Sequence, residues 1–468
     1  MIDHFAALAA ALSDEVVTLP SAFFFPGRVH DGPFPAELHA LLCDALTPIL
    51  SRITSTKLQD NTNYWKLLGL FAHLATPAIS RRILQRQIGG PQKAIAEHLR
   101  LSLLAFMELT PETLVQRLDE IRAHAAQQAS RPNTRKPSQL LQTLRASKEL
   151  IAAGALSRAA RTLDIAAKIS VNADATAPVT SQPMRITPEV LLQLQQLHPK
   201  AEDPDEEAFD IGGLPEQWAP DPRKVRKTIL SFDSKVASGR SGLSINHMKA
   251  LASSEETGPD SPIAILTETL ACLSAGSISA ALGPVMASCR GLAVYKSNLA
   301  PRPLAAGEIM RRVLGRNMTQ EKNAEYAAYL GPTQRGVGIA GGPEQVVHLT
   351  RALLQADTQV CCASTDIRAA YQTMHRKHIL REKREHFPDI ARYSWVIYGK
   401  RSRLYYEPPK SDGEDEHIDS EEGSQQGARG VCRLCHRTTP RAARGPSQQH
   451  RSYGERCTRR RPDHRLAP

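Results

Sequence analysis

Ser364-Thr365-Asp366-Ile367-Arg368-Ala369-Ala370-Tyr371 decides how this chain is read. Val360–Ser364 is a short apolar run in a chain whose other segments are mostly patterned for helices. An apolar run that ends on an acid, then small residues and an aromatic, predicts a strand, a turn and a helix. Asp366 then stands at the strand's end. Alone, an Asp in that place more often caps a helix than ligates a metal. Its meaning depends on the segments around it.

Downstream, helical spacing continues through Phe387, and Ser394–Tyr406 carries aromatics at 395, 398, 405 and 406, which predicts a helix end and a strand. Glu407–Glu422 holds eight acids and little that is apolar, so a solvated loop is expected. Upstream, Gln334–His348 is glycine-rich and spells G-x-G-x-x-G from Gly336 to Gly341. A dinucleotide fold needs a strand just before Gly336 and an acid at the end of a second strand about 20 residues on. Gly331-Pro332 interrupts the first and Asp357 falls in a polar break, so that reading is set aside.

Earlier still, Pro222–Phe232, Ile245–Ala252, Ile263–Ala275 and Ala305–Leu314 predict helices. Residues 171–221 read as a linker, with one short helix starting at Thr187-Pro-Glu-Val. Residues 1–170 are helical in pattern, with apolar residues three and four apart over Glu37–Ile53, Tyr64–Leu74, Lys93–Phe106, Pro111–Ala126 and Ser147–Ile169. The expected fold is α+β: a mostly helical N-terminal region, then a mixed domain over 222–427, then a disordered basic tail over 428–468.

Several separated segments together resemble the fingers and partial palm of a non-LTR retrotransposon reverse transcriptase. Ser238-Gly-Arg-Ser-Gly-Leu-Ser-Ile-Asn-His-Met-Lys249 is similar to the family's glycine turn before a helix. Lys296 and Pro301-Arg302-Pro303-Leu304-Ala-Ala-Gly307-Glu308-Ile-Met-Arg311-Arg312 are similar to its basic fingers segment. The resemblance implies that Lys296 and Arg302 bind the incoming nucleotide's triphosphate, where fixed cations hold a polyanion in line for attack. Ser364–Tyr371 is similar to the metal-binding strand and turn, which implies Asp366 as the catalytic Mg²⁺ ligand and Tyr371 as the residue that screens the sugar's 2′ position. Gly423-Ser424-Gln425-Gln426-Gly427 is similar to the turn under the template–primer, where glycines allow close backbone approach and Gln426 touches a base edge or sugar. An RNA or DNA template–primer is the implied partner.

The pattern then breaks. The family continues Gln-Gly with Asp-Pro and later an Asp-Asp hairpin, whereas Gly427 is followed by Ala428-Arg429-Gly430 and no Asp-Asp pair occurs after Asp366. Nucleotidyl transfer uses two Mg²⁺ ions about 3.5–4 Å apart, and Mg²⁺ demands near-octahedral oxygen coordination. One Asp cannot hold both, so the expected chain is catalytically inactive. The rival reading is a noncatalytic helical nucleic-acid-binding or scaffold protein.

Residues 428–468 hold eleven arginines, no lysine and two acids, a net of +9. The preceding 427 residues carry only +2 of the chain's +11. Basic character is therefore a property of the tail, where it favours nonspecific, salt-dependent binding to RNA or DNA. Arginine without lysine, beginning inside a motif, suggests translation in a shifted reading frame. Cys432-x-x-Cys435-His436 begins with zinc-ligand spacing, but His450 and Cys457 complete no common finger pattern. Eight scattered cysteines, no secretory pattern at Met1–Leu12 and no apolar run of membrane-spanning length lead us to expect an intracellular protein, nuclear or cytoplasmic.

Overall fold

The computed structural model describes residues 2–25, 29–30, 32–58, 60–79, 91–129, 186–295, 300–331, 334–336, 339–357, 359, 361–362, 369–406 and 417–424. The chain divides into two compact units: Met1–Glu321 with Ile367–Gly430, and Lys322–Asp366 with Val431–Pro468. The fold is α+β, largely helical, with one small mixed sheet.

In the first unit the helices follow the apolar spacing of the sequence. His39–Ser55 buries Leu42, Leu46, Ile49, Leu50 and Ile53, a stripe with the three- and four-residue step of a helix face. That stripe packs on Thr62–Ala75, Pro262–Ser274 and Ile245–Ala252. Thr62–Ala75 is buried from Tyr64 through Ala75, so it is the central helix of this region rather than a surface one. The helices expected as a separate N-terminal region therefore share a core with those that follow residue 222.

Strands β1 (Cys289–Tyr295), β2 (Pro301–Gly307), β3 (Ser402–Tyr405) and β4 (His417–Ser420) form a sheet in the order β2-β1-β3-β4. β1 and β2 make an antiparallel hairpin, and β3 lies parallel to β1 with Cys289 beside Leu404. On one face Cys289, Ala293, Leu404, Tyr406 and Ile418 cluster with Leu194 of the Pro188–Gln195 helix. Thr187 starts that helix by accepting from Val190 N–H at 3.4 Å. On the other face Tyr405 meets Phe24, with ring centroids 4.3 Å apart, and the Arg240 guanidinium lies 4.9 Å from the Tyr405 ring.

Three sequence expectations are corrected here. Ala305–Gly307 belongs to β2, and the helix begins only at Ile309, running to Glu321. Alanine favours helices locally, but pairing with β1 overrides that weak preference. Within the acidic stretch, His417–Ser420 is a strand because Ile418 and Ser420 point alternately inward. The linker read over 171–221 with one short helix holds a second, Glu206–Phe209, whose Phe209 stacks on Trp395 at 4.7 Å. The strand expected at Val360–Ser364 lies mostly outside the described residues, and Cys361 and Cys362 are not in a strand. Ser147–Ile169 and the tail also lie outside them.

The second unit contributes Asn323–Leu330 and Gly342–Ala356, both helices. A helix thus precedes the Gly336–Gly341 stretch, where a dinucleotide fold would need a strand. Among the described residues no helix is long and apolar enough to cross a membrane.

Candidate functional site

Of the residues singled out from sequence, Arg302, Tyr371 and Gly423 are described; Asp366, Lys296, Gln426 and Gly427 lie outside the described residues. Arg302 is on β2 opposite Val294 of β1, with an exposed side chain. Lys296 falls in the connection between these two strands, so the two expected triphosphate cations belong to one hairpin.

Tyr371 and Gly423, fifty-two residues apart, are brought together. Gly423 N–H donates to Met374 O at 2.7 Å, and Ser424 N–H donates to Tyr371 O at 2.6 Å. Gly423 has φ of +73°, and an added Cβ would collide with Tyr371 O and the Gln372 carbonyl. Positive φ and close approach together require glycine. Ala369 also sits in the left-handed region, at φ 51°, immediately before the short Ala370–Thr373 helix. For alanine this costs roughly 1–2 kcal/mol, so the surroundings must hold the turn in place.

What holds it is a residue that sequence reasoning missed. Arg376 is buried, and its guanidinium donates to Gly423 O at 3.2 Å, Lys400 O at 3.2 Å and Ser420 Oγ at 2.9 Å. Its backbone N–H donates to Glu422 Oε2 at 2.6 Å, and His375 Nδ1 lies 3.1 Å from Glu422 Oε1. Burial pushes the Arg376 pKa down to about 10, which leaves it charged at neutral pH. A buried charge with several directed acceptors is what a fixed turn needs. No motif announces it; one Arg before an amphipathic helix is an ordinary pattern. The acceptors come from two separate segments, Lys400 and the stretch 420–423.

A second joint links the other two motifs. Glu308, 2% exposed, accepts from Arg240 N–H at 2.8 Å and Ser241 N–H at 3.2 Å through Oε1, and from the Ser241 hydroxyl at 2.5 Å through Oε2. A Cβ on Gly239 would overlap the Glu308 carboxylate and backbone. Burial raises the Glu308 pKa against the pull of those hydrogen bonds and of Arg311. Arg311 is buried too and donates to Ala287 O at 2.7 Å, while Arg312 donates to Ala237 O at 2.6 Å. The glycine turn and basic segment read as binding motifs are here engaged with each other. His247, in the same segment, accepts from Ser244 N–H at Nδ1 (3.1 Å) and has Thr76 Oγ1 2.9 Å from Nε2. Because the Thr76 hydroxyl donates to Ala72 O, Nε2 carries the proton and the ring is neutral. Burial and the charge of His30 depress its pKa to about 3.

A narrow cleft lies where β2 meets the Tyr371–Gly423 joint, lined by Pro303 and Ala305 on one side and Gln372, Glu422 and Ser424 on the other. Its open volume of about 20 Å³ holds roughly one water. It does not accommodate a nucleotide in this arrangement. Among the described residues no three His, Cys, Asp or Glu side chains gather as a metal site. The carboxylates next to Gly423 are already engaged, Glu422 by Arg376 and His375, and Glu421 by Ala201 N–H at 2.6 Å. These two carboxylates are therefore committed to protein partners, and Asp366 lies outside the described residues.

No protein-family model matches the chain, and no curated protein matches it in sequence. The functional reading rests on the residues and their geometry.

Proposed function

We propose that this chain is a reverse-transcriptase-like fingers–palm protein of the non-LTR retrotransposon kind that engages a template–primer without extending it. The observation that carries the reading is the hydrogen-bonded docking of Gly423–Ser424 on Tyr371–Met374. Two segments chosen independently by the same family pattern meet in space. The β1–β2 hairpin supports it further, because Arg302 stands exposed on a strand whose connection holds Lys296. In this reading the hairpin is the fingers' phosphate-gripping element, and Tyr371 with Gly423 forms the palm-side floor. In sequence, Asp366 is the one acid that matches a metal-ligand position of the family pattern, and with one such ligand a two-ion transfer has too few.

Two measurements on the full chain test this. Primer extension with Mg²⁺ is expected to give no product; Mg²⁺-dependent synthesis would overturn the inactive reading. Binding of a fluorescent template–primer is expected to weaken about tenfold in a Lys296→Ala/Arg302→Ala variant, with a salt slope lower by about two. Binding that ignores both substitutions but vanishes when 428–468 is deleted would instead mark a noncatalytic chain whose affinity resides in its arginine tail.

A further inference from the structure

The cysteines among the described residues are of two kinds. Cys43 and Cys289 are buried and Cys272 is half-buried, whereas the neighbours Cys361 and Cys362 are both exposed. Burial raises the thiol pKa of Cys272 and Cys289, and that of Cys43 to about 11, so these three hold little thiolate at neutral pH. The thiolate is the form that attacks an oxidant, and access decides the rest. Both conditions disfavour the three enclosed thiols, and access favours the exposed pair.

A thiol oxidised to a sulfenic acid is diverted from further oxidation when a second thiol stands ready to condense with it. Chain connectivity supplies that second thiol at Cys361-Cys362. Neither residue belongs to a helix or strand, so closing a ring between them breaks no regular hydrogen-bonded ladder. Consecutive Cα atoms are about 3.8 Å apart, closer than the roughly 4.4–6.8 Å of ordinary disulfides. Such a bridge is strained and readily reduced, which suits a reversible modification and not a structural staple. We propose that Cys361 and Cys362 form a peroxide-sensitive dithiol that closes reversibly to a disulfide. One thiolate attacks an oxygen of a hydroperoxide, breaking the O–O bond and releasing an alcohol, or water from hydrogen peroxide, once protonated. The other thiol then attacks the sulfenic sulfur, forming the S–S bond and releasing water. The two thiols lose two hydrogens and two electrons, which the peroxide takes up. No residue of the proposed template–primer site takes part, so this inference stands apart from that reading.

Hydrogen peroxide titration of the full chain, followed by alkylation, non-reducing tryptic digestion and mass spectrometry, tests it. Cleavage after Arg351 and Arg368 releases a peptide that holds Cys361 and Cys362 and no other cysteine. That peptide is expected to escape alkylation, to be two hydrogens lighter, and to regain both thiols in dithiothreitol. Its oxidation should be about tenfold faster than that of Cys43 or Cys289. Cys361→Ser and Cys362→Ser are each expected to gain oxygen atoms at the remaining sulfur instead, with unchanged far-UV circular dichroism. A parent peptide that only gains oxygen, or that oxidises no faster than Cys43, overturns the proposal. So does a bridge from either residue to any other cysteine in place of the one between them.

Discussion

At the Ser238–Gly242 turn the hub is a buried carboxylate, Glu308, accepting from two backbone N–H groups and one hydroxyl; at the Gly423–Ser424 turn it is a buried guanidinium, Arg376, donating to two carbonyls and one hydroxyl. The chemistry is mirrored, but the exposure is not. Around Glu308 the carboxylate and Ser241 are buried, while Arg240 is half-buried. Around Arg376 the joint is sealed beneath and open above, where Tyr371 is 38% exposed and the His375 side chain 60% exposed. Both turns look like binding loops in sequence. The second has the more accessible edge.

The largest expected effect tests the enclosed joint. Glu308→Leu strands the Ser241 hydroxyl and two backbone donors and leaves Arg311 without its nearby negative charge. Breaking a buried charged network of this kind costs about 3–5 kcal/mol, read as a lower urea midpoint. Glu308→Gln keeps the acceptor oxygen and should cost less than half of that. If Leu and Gln are equally mild, the carboxylate is not the hub.

Arg376→Met should cost somewhat less, about 2–4 kcal/mol, because the turn it holds borders solvent and water can replace part of what is lost. Its distinguishing sign is local. Amide hydrogen exchange should accelerate at Gly423 and Ser424 while the Ser238–Gly242 amides keep their protection. Equal acceleration at both turns would mean that the two joints are one cooperative element.

The smallest effect concerns pH and separates the joints by titration. His247 has a folded pKa of about 3, and His73, depressed chiefly by burial and then by Arg240, one of about 4. Each lies below the unfolded value, so the unfolded chain binds more protons and stability is fully present above about pH 6.5. It is lost as pH falls from there toward the folded pKa. At pH 5 each histidine should have removed about 2 kcal/mol. Glu308 acts with the opposite sign, its raised pKa favouring the folded state as pH falls, so the histidine contribution is read as the difference between the parent and His247→Gln. A slope unchanged in His247→Gln would sink the assignment of a neutral, locked ring.

The helices could be read from the sequence because their signals are local. Apolar residues three and four apart in His39–Ser55, and Thr187 ahead of Pro188, act within one or two turns of chain. The same was true of Ser402–Tyr405, where aromatics cluster before the acidic stretch. The β1–β2 hairpin was not legible, since Cys289–Tyr295 and Pro301–Gly307 carry glycine, alanine and proline and owe their strand form to each other and to β3. Nor was Arg376, whose role exists only once Lys400, Ser420 and Gly423 converge on it.

By itself the sequence determined most of the long helices of the first unit, where the positive charge sits, and that Tyr371 and Gly423 are unusual positions, since each follows from residues adjacent in the chain. Tertiary structure alone decided that these two positions touch and that Glu308 occupies the first glycine turn. Such facts depend on which distant groups share a buried volume, where an ion without partners is costly and a partnered one fixes the backbone around it.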